Sequence, residues 1–136
     1  MKIFIVGSKY NFDKIAPIRE KLEQVGHIIT VPAGHADPFK EQEVQKLGKE
    51  AFLEFKTRML KEQGERVAAN DAVLVMNFEK NGQPNYIGGA TFLEVFKAWD
   101  LGKKIFFFNP LPAGIFYDEL VGLNPLVING DLSLIK

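Results

Sequence analysis

The sequence contains no cysteine. A disulfide framework, a thiolate zinc site and a cysteine nucleophile are therefore excluded. Histidine is nearly as scarce, and neither His27 nor His35 has carboxylates at ligand spacing, so no metal is expected. His35 with Asp37 suggests a proton relay, yet no serine motif accompanies the pair. Net charge is missing too, because 17 Lys and Arg balance 17 Asp and Glu. Binders of nucleic-acid polymers or membrane surfaces carry a basic excess, so neither partner is expected. No apolar run is long enough for a membrane span or a secretory signal, and the expected location is the cytoplasm. The G-x-G-x-x-G and G-x-x-x-x-G-K-S patterns are absent, so neither a dinucleotide fingerprint nor a P-loop is present. No cofactor is expected.

What the chain does have is an alternation of strand and helix patterns. Its 136 residues suit one domain, 1–136, with a core of its own. Ile3–Val6, Ile28–Val31, Ala72–Met76, Ile105–Phe108 and Leu126–Ile128 are short β-branched or aromatic runs, read as strands buried on both faces. Ile15, Ile18, Leu22 and Val25 recur at helical spacing, with Pro17 in the first turn and Gly26 as a stop. Residues 39–69 read as one long helix, with a break near Gly64 and a lid-like start. Its Lys and Glu residues read as a solvated face. A further helix from Thr91 carries Phe92, Val95, Phe96 and Trp99 as its apolar stripe, and a short one spans 116–121.

This alternation predicts an α/β three-layer sandwich, flavodoxin-like or Rossmann-like, with a five-stranded parallel sheet in the order 2-1-3-4-5. Such sheets bind ligands beyond the carboxyl ends of the strands where the order reverses. Here that place lies between strands one and three, and the loops feeding it are 7–11 and 77–91.

The second loop ends in Asn85-Tyr86-Ile87-Gly88-Gly89-Ala90-Thr91-Phe92-Leu93-Glu94, the stretch on which the reading turns. Two adjacent glycines followed by a helix start suit close approach of backbone N–H groups to an anion. Glu94 has two readings. Thr91-x-x-Glu94 fits a capping box, in which the carboxylate is structural. Alternatively the carboxylate reacts with a bound ligand. At about 100° per residue Glu94 stands roughly 160° from the apolar stripe, facing solvent or the crevice. Tyr10 and Tyr86 either pack half-buried or stack on a ligand. Asn77 is a turn residue or a ligand for a sugar hydroxyl. Gly7 and Ser8 complete the first loop. Asp71 lies at the wrong end of the sheet and reads as structural.

Three segments resemble the nucleoside 2-deoxyribosyltransferase superfamily, which includes deoxynucleoside monophosphate N-glycosidases. They are Ile3-Phe4-Ile5-Val6-Gly7-Ser8, Asp71-Ala72-Val73-Leu74-Val75, and Thr91-Phe92-Leu93-Glu94 with the later Gly102-Lys103-Lys104-Ile105. The resemblance implies that Glu94 is the nucleophile of a G-T-x-x-E motif. The family pattern D-x-G-T-x-x-E is broken here, with Gly88 at the Asp position and Ala90 at the Gly position. Tyr86 and Asn85 are the residues expected to substitute for that Asp. The Gly88-Gly89 pair also resembles the P-G-G-x-G-T-x-x-E motif of phosphoribohydrolases that release cytokinin bases.

The resemblance implies cleavage or transfer at the N-glycosidic bond of a nucleoside or nucleotide. Glu94 and Tyr86 are then catalytic. Gly7, Ser8, Tyr10, Asn77, Asn85, Gly88, Gly89, Ala90 and Thr91 hold the ligand. It also implies a homo-oligomer whose sites borrow a C-terminal residue from a neighbour, Asn129 or Asp131. The alternative is a catalytically silent nucleotide-binding module.

Overall fold

Ile3, Phe4, Ile5 and Val6 are all buried in strand β1 (Lys2–Gly7). Alternate residues of a strand point to opposite faces. Ile3 and Ile5 accordingly join one apolar cluster, and Phe4 and Val6 join another on the far side of the sheet. This two-sided burial is why the run is continuous rather than alternating. β2 (Ile28–Thr30), β3 (Ala72–Met76), β4 (Lys104–Phe107) and β5 (Leu126–Val127) complete the sheet in the computed structural model, which describes residues 1–136. All pairings are parallel and the order is β2-β1-β3-β4-β5, as the sequence predicts.

Helix α1 (Ile15–Gln24) covers the first face with Ile15, Ile18 and Leu22. The path from β2 to β3 crosses β1 in the opposite direction, so α3 (Lys49–Ala69) lies on the second face. Helices α4 (Gly89–Asp100) and α5 (Tyr117–Leu123) follow on that same face, through Val95, Ala98 and Leu120. After β5 the chain turns back under the first face, and Leu132 and Ile135 pack beside α1's cluster.

Four local features differ from expectation. Residues 9–14 are a 3-10 helix rather than a loop, capped by Ser8, whose Oγ accepts from the Tyr10 N–H. The long helix breaks at Gly48, not Gly64, leaving α2 (Lys40–Gln45) ahead of α3. Gly48 has φ +115°, a conformation that side chains resist, whereas Gly64 stays helical. Helix α4 begins at Gly89, two residues before Thr91, with Gly88 as its N-cap and no side-chain cap. Finally, its apolar stripe is turned by one position. Thr91, Glu94, Val95 and Ala98 are buried, while Phe96 and Trp99 are half exposed. Phe92 is partly buried, stacked on Phe116 at 4.6 Å.

Candidate functional site

β1 ends at Gly7 with φ +154°, and a Cβ there would stand 3.0 Å from the Met76 carbonyl oxygen. Glycine therefore lets the ends of β1 and β3 stay close as their chains part to opposite faces. The parting opens a cavity of about 520 Å³, a volume typical of small-molecule sites. Gly7, Ser8 and Tyr10 form one side. Tyr86, Gly88, Gly89, Ala90 and Thr91 form another, with Glu94 behind them. The structure thus brings together nine of the residues singled out from sequence.

Four others are elsewhere. Asn77 is fully buried, and its amide closes a clasp with the end of β4. Its Nδ2 donates to the carbonyls of Asn109 at 3.0 Å and Pro110 at 2.8 Å, and its Oδ1 accepts from the Asn109 N–H at 2.9 Å. Both amide hydrogens are spent and the side chain is out of reach of a ligand, so Asn77 is structural. Asn85 is a turn residue at φ +58° and does not line the cavity. Asn129, at φ +48°, also lies off the cavity of its own chain. Asp131 accepts hydrogen bonds from Ser133, which hold its carboxyl below the usual range.

The sequence reading missed the opposite wall. Phe55, Met59, Glu62 and Gln63 of α3 face the cavity, so that side of the helix is not simply solvated. Arg58 is there too, and Lys56 is tied to Glu41 of α2 by an ion pair of 2.6 Å. Lys9, Lys40 and Lys80 stand at the mouth. The Lys80 ammonium lies 4.8 Å from the ring centre of Tyr10 and 4.7 Å from that of Tyr86. Asp37 reaches the cavity without His35, which instead sets its ring edge-on to Phe12.

Glu94 is the buried acid of this arrangement. It belongs to the second turn of α4, so the capping-box role is not formed. Its side chain is only 7% exposed, and Oε2 has no hydrogen-bond partner. Gln63 Oε1 and Arg66 Nη1 of α3 are likewise buried without partners. Burial pushes the Glu94 carboxyl up from 4.5 to about 8, with the Arg66 guanidinium opposing the rise. An ionised carboxylate is costly to bury, so the group keeps its proton well above the ordinary range. The other half of the motif concerns Gly88. A side chain on residue 88 would begin 3.5 Å from the Tyr86 hydroxyl. Tyr86 therefore presents a polar group directly beside Gly88.

No family model matches the sequence, and no curated protein matches it. A solved structure does. The fold is similar to that of the CMP N-glycosidase BcmB from Clostridium botulinum. The match covers 95% of this chain and 89% of that one, with a TM-score of 0.53 and 15% identity. At that identity the likeness shows the α/β architecture. No helix here is long and apolar enough to cross a membrane.

Proposed function

We propose that this chain breaks the N-glycosidic bond of a nucleoside or nucleoside monophosphate, with Glu94 as nucleophile. The observation that carries this reading is that Glu94, a buried acid with an unpartnered oxygen, is among the residues lining a ligand-sized cavity at the sheet's switch point. The fold shared with a CMP N-glycosidase supports it, as does the Thr91-x-x-Glu94 motif.

In the proposed reaction a Glu94 oxygen bonds to the anomeric carbon as the carbon–nitrogen bond breaks. The bonding electrons leave with the base, which takes up a proton. The transition state has oxocarbenium character, and a glycosyl-enzyme ester results. Water, or a second base, then attacks the same carbon, gives up a proton to solvent in place of the one the first base took from it, and releases the Glu94 carboxylate. The poorly solvated carboxylate is a strong nucleophile once ionised. The Tyr86 hydroxyl beside Gly88 takes over the polar contact that the missing Asp makes in the family. The backbone of 88–91, at the start of α4, and the Ser8 loop hold phosphate or hydroxyls. Incubation of the protein with nucleosides and their monophosphates should release free base, detected by chromatography. Binding of one of them with no release from any would establish the silent binding module, the reading that Gly88 favours.

The proposal includes a homo-oligomer. Phe96 and Trp99 lie half exposed on α4 with ring centres 5.8 Å apart, and Leu93 is 52% exposed on the same helix. Light scattering at micromolar concentration should give at least twice the monomer mass. A monomer would remove any residue shared between copies, Asn129 included.

A further inference from the structure

Lys80 is carried by a tight hairpin. Its N–H and carbonyl pair with those of Gln83 at 3.0 and 2.9 Å, around Asn81 and Gly82, both of positive φ. Both turn residues in that conformation give the turn type that matches strand twist, so the hairpin is locally well defined. The Tyr86 N–H donates to the Phe78 carbonyl and closes the base of the loop. The loop thus brings Lys80 to the cavity, with its ammonium over the rings of both Tyr10 and Tyr86.

An aromatic ring packed against a tyrosine puts its centre about 4.5–7 Å from the tyrosine's centre. The ammonium, at 4.8 and 4.7 Å, stands where the centre of a planar ligand held by both tyrosines would be. Ligand ring and ammonium compete for one position. A displaced ammonium loses its contact with both ring faces. A ligand with no charge gives nothing back. A ligand with an anionic group offers the freed ammonium an ion pair. The surroundings favour the second case. Apart from the Lys56–Glu41 pair and the buried Glu94, the cavity is lined by four cations, Lys9, Lys40, Arg58 and Lys80, against two acids, Asp37 and Glu62, and none of the six is in an ion pair.

We infer that Lys80 is a specificity-determining residue, expelled from between Tyr10 and Tyr86 by the ligand's base and re-engaged by its phosphate. It selects nucleoside monophosphates against nucleosides, partly by attraction and partly by occupying the base position when no phosphate is there to receive it. This inference rests on the nucleoside reading of the cavity and adds the substrate's charge class to it.

The test is titration calorimetry of one nucleoside and its 5′-monophosphate against the wild type, Lys80→Met and Lys80→Arg. Methionine keeps the length of the stem and removes the charge. The expected result for Lys80→Met is a monophosphate affinity about tenfold weaker and a nucleoside affinity unchanged or tighter. The preference for the monophosphate therefore falls at least about tenfold. Lys80→Arg, with its charge retained, should keep most of the preference. Equal changes for both ligands in Lys80→Met, or an unchanged ratio, would overturn the inference while leaving the nucleoside reading intact. Failure of the wild type to bind either ligand would overturn both. Circular dichroism of each variant separates these outcomes from misfolding.

Discussion

Glu94→Gln should abolish base release, with a fall in kcat/KM of at least about 10³, or about 4 kcal/mol of transition-state stabilisation. Glutamine has nearly the same size and remains a hydrogen-bonding group, so the cavity keeps its shape. It is not a carboxylate nucleophile, and the covalent route closes. Ligand affinity should stay within about tenfold, equivalent to roughly 1.4 kcal/mol. The pH profile of the wild type identifies the role of the group. A nucleophile must be ionised, so kcat/KM should rise as pH approaches about 8, the value to which burial pushes the carboxyl. A group that donated its proton would give the opposite slope. Unchanged turnover in Glu94→Gln would remove Glu94 from the chemistry.

The second large effect is on stability, and its sign follows from the same carboxyl. The folded protein holds the Glu94 proton up to about pH 8, whereas the ordinary carboxyl loses it near 4.5. Between those values the unfolded chain binds fewer protons than the folded one, so stability falls as pH rises. Stability from this group is fully present below about 4.5 and is lost through about 8. At about 1.4 kcal/mol per unit, the whole interval corresponds to at most about 5 kcal/mol. Glu94→Gln removes this titration. The variant should therefore melt of order 10 °C above the wild type at pH 8, and the gap should narrow towards pH 5. Thermal unfolding followed by circular dichroism across that range checks it. A gap that does not change with pH would mean that the carboxyl titrates normally in the folded state.

The sheet order and the place of the cavity were legible in the sequence. The strand runs end in glycine, proline or asparagine, and the parallel topology fixes the crevice without reference to the residues in it. The face of α4 was not legible, because size misled. Phe96 and Trp99 are the largest apolar residues of that helix, yet the positions against the sheet and cavity belong to Thr91, Glu94, Val95 and Ala98. A buried acid breaks the pattern from which a helix face is read, and such breaks are expected at sites of function. The wall from α3 was hidden for a related reason. Lys56, Arg58, Glu62 and Gln63 have the composition of a solvated surface, and only the approach of α3 to α4 makes them a boundary. Asn77 was legible as important but not as a clasp, since its partners at 109 and 110 are distant in sequence.

The two outer strands of the sheet are very short, with three residues in β2 and two in β5. Little unpaired backbone is therefore offered along either margin, which makes the sheet a poor template for a strand from another chain. Any association of copies would therefore fall to side chains on the helical layers, such as the exposed Leu93, Phe96 and Trp99 of α4.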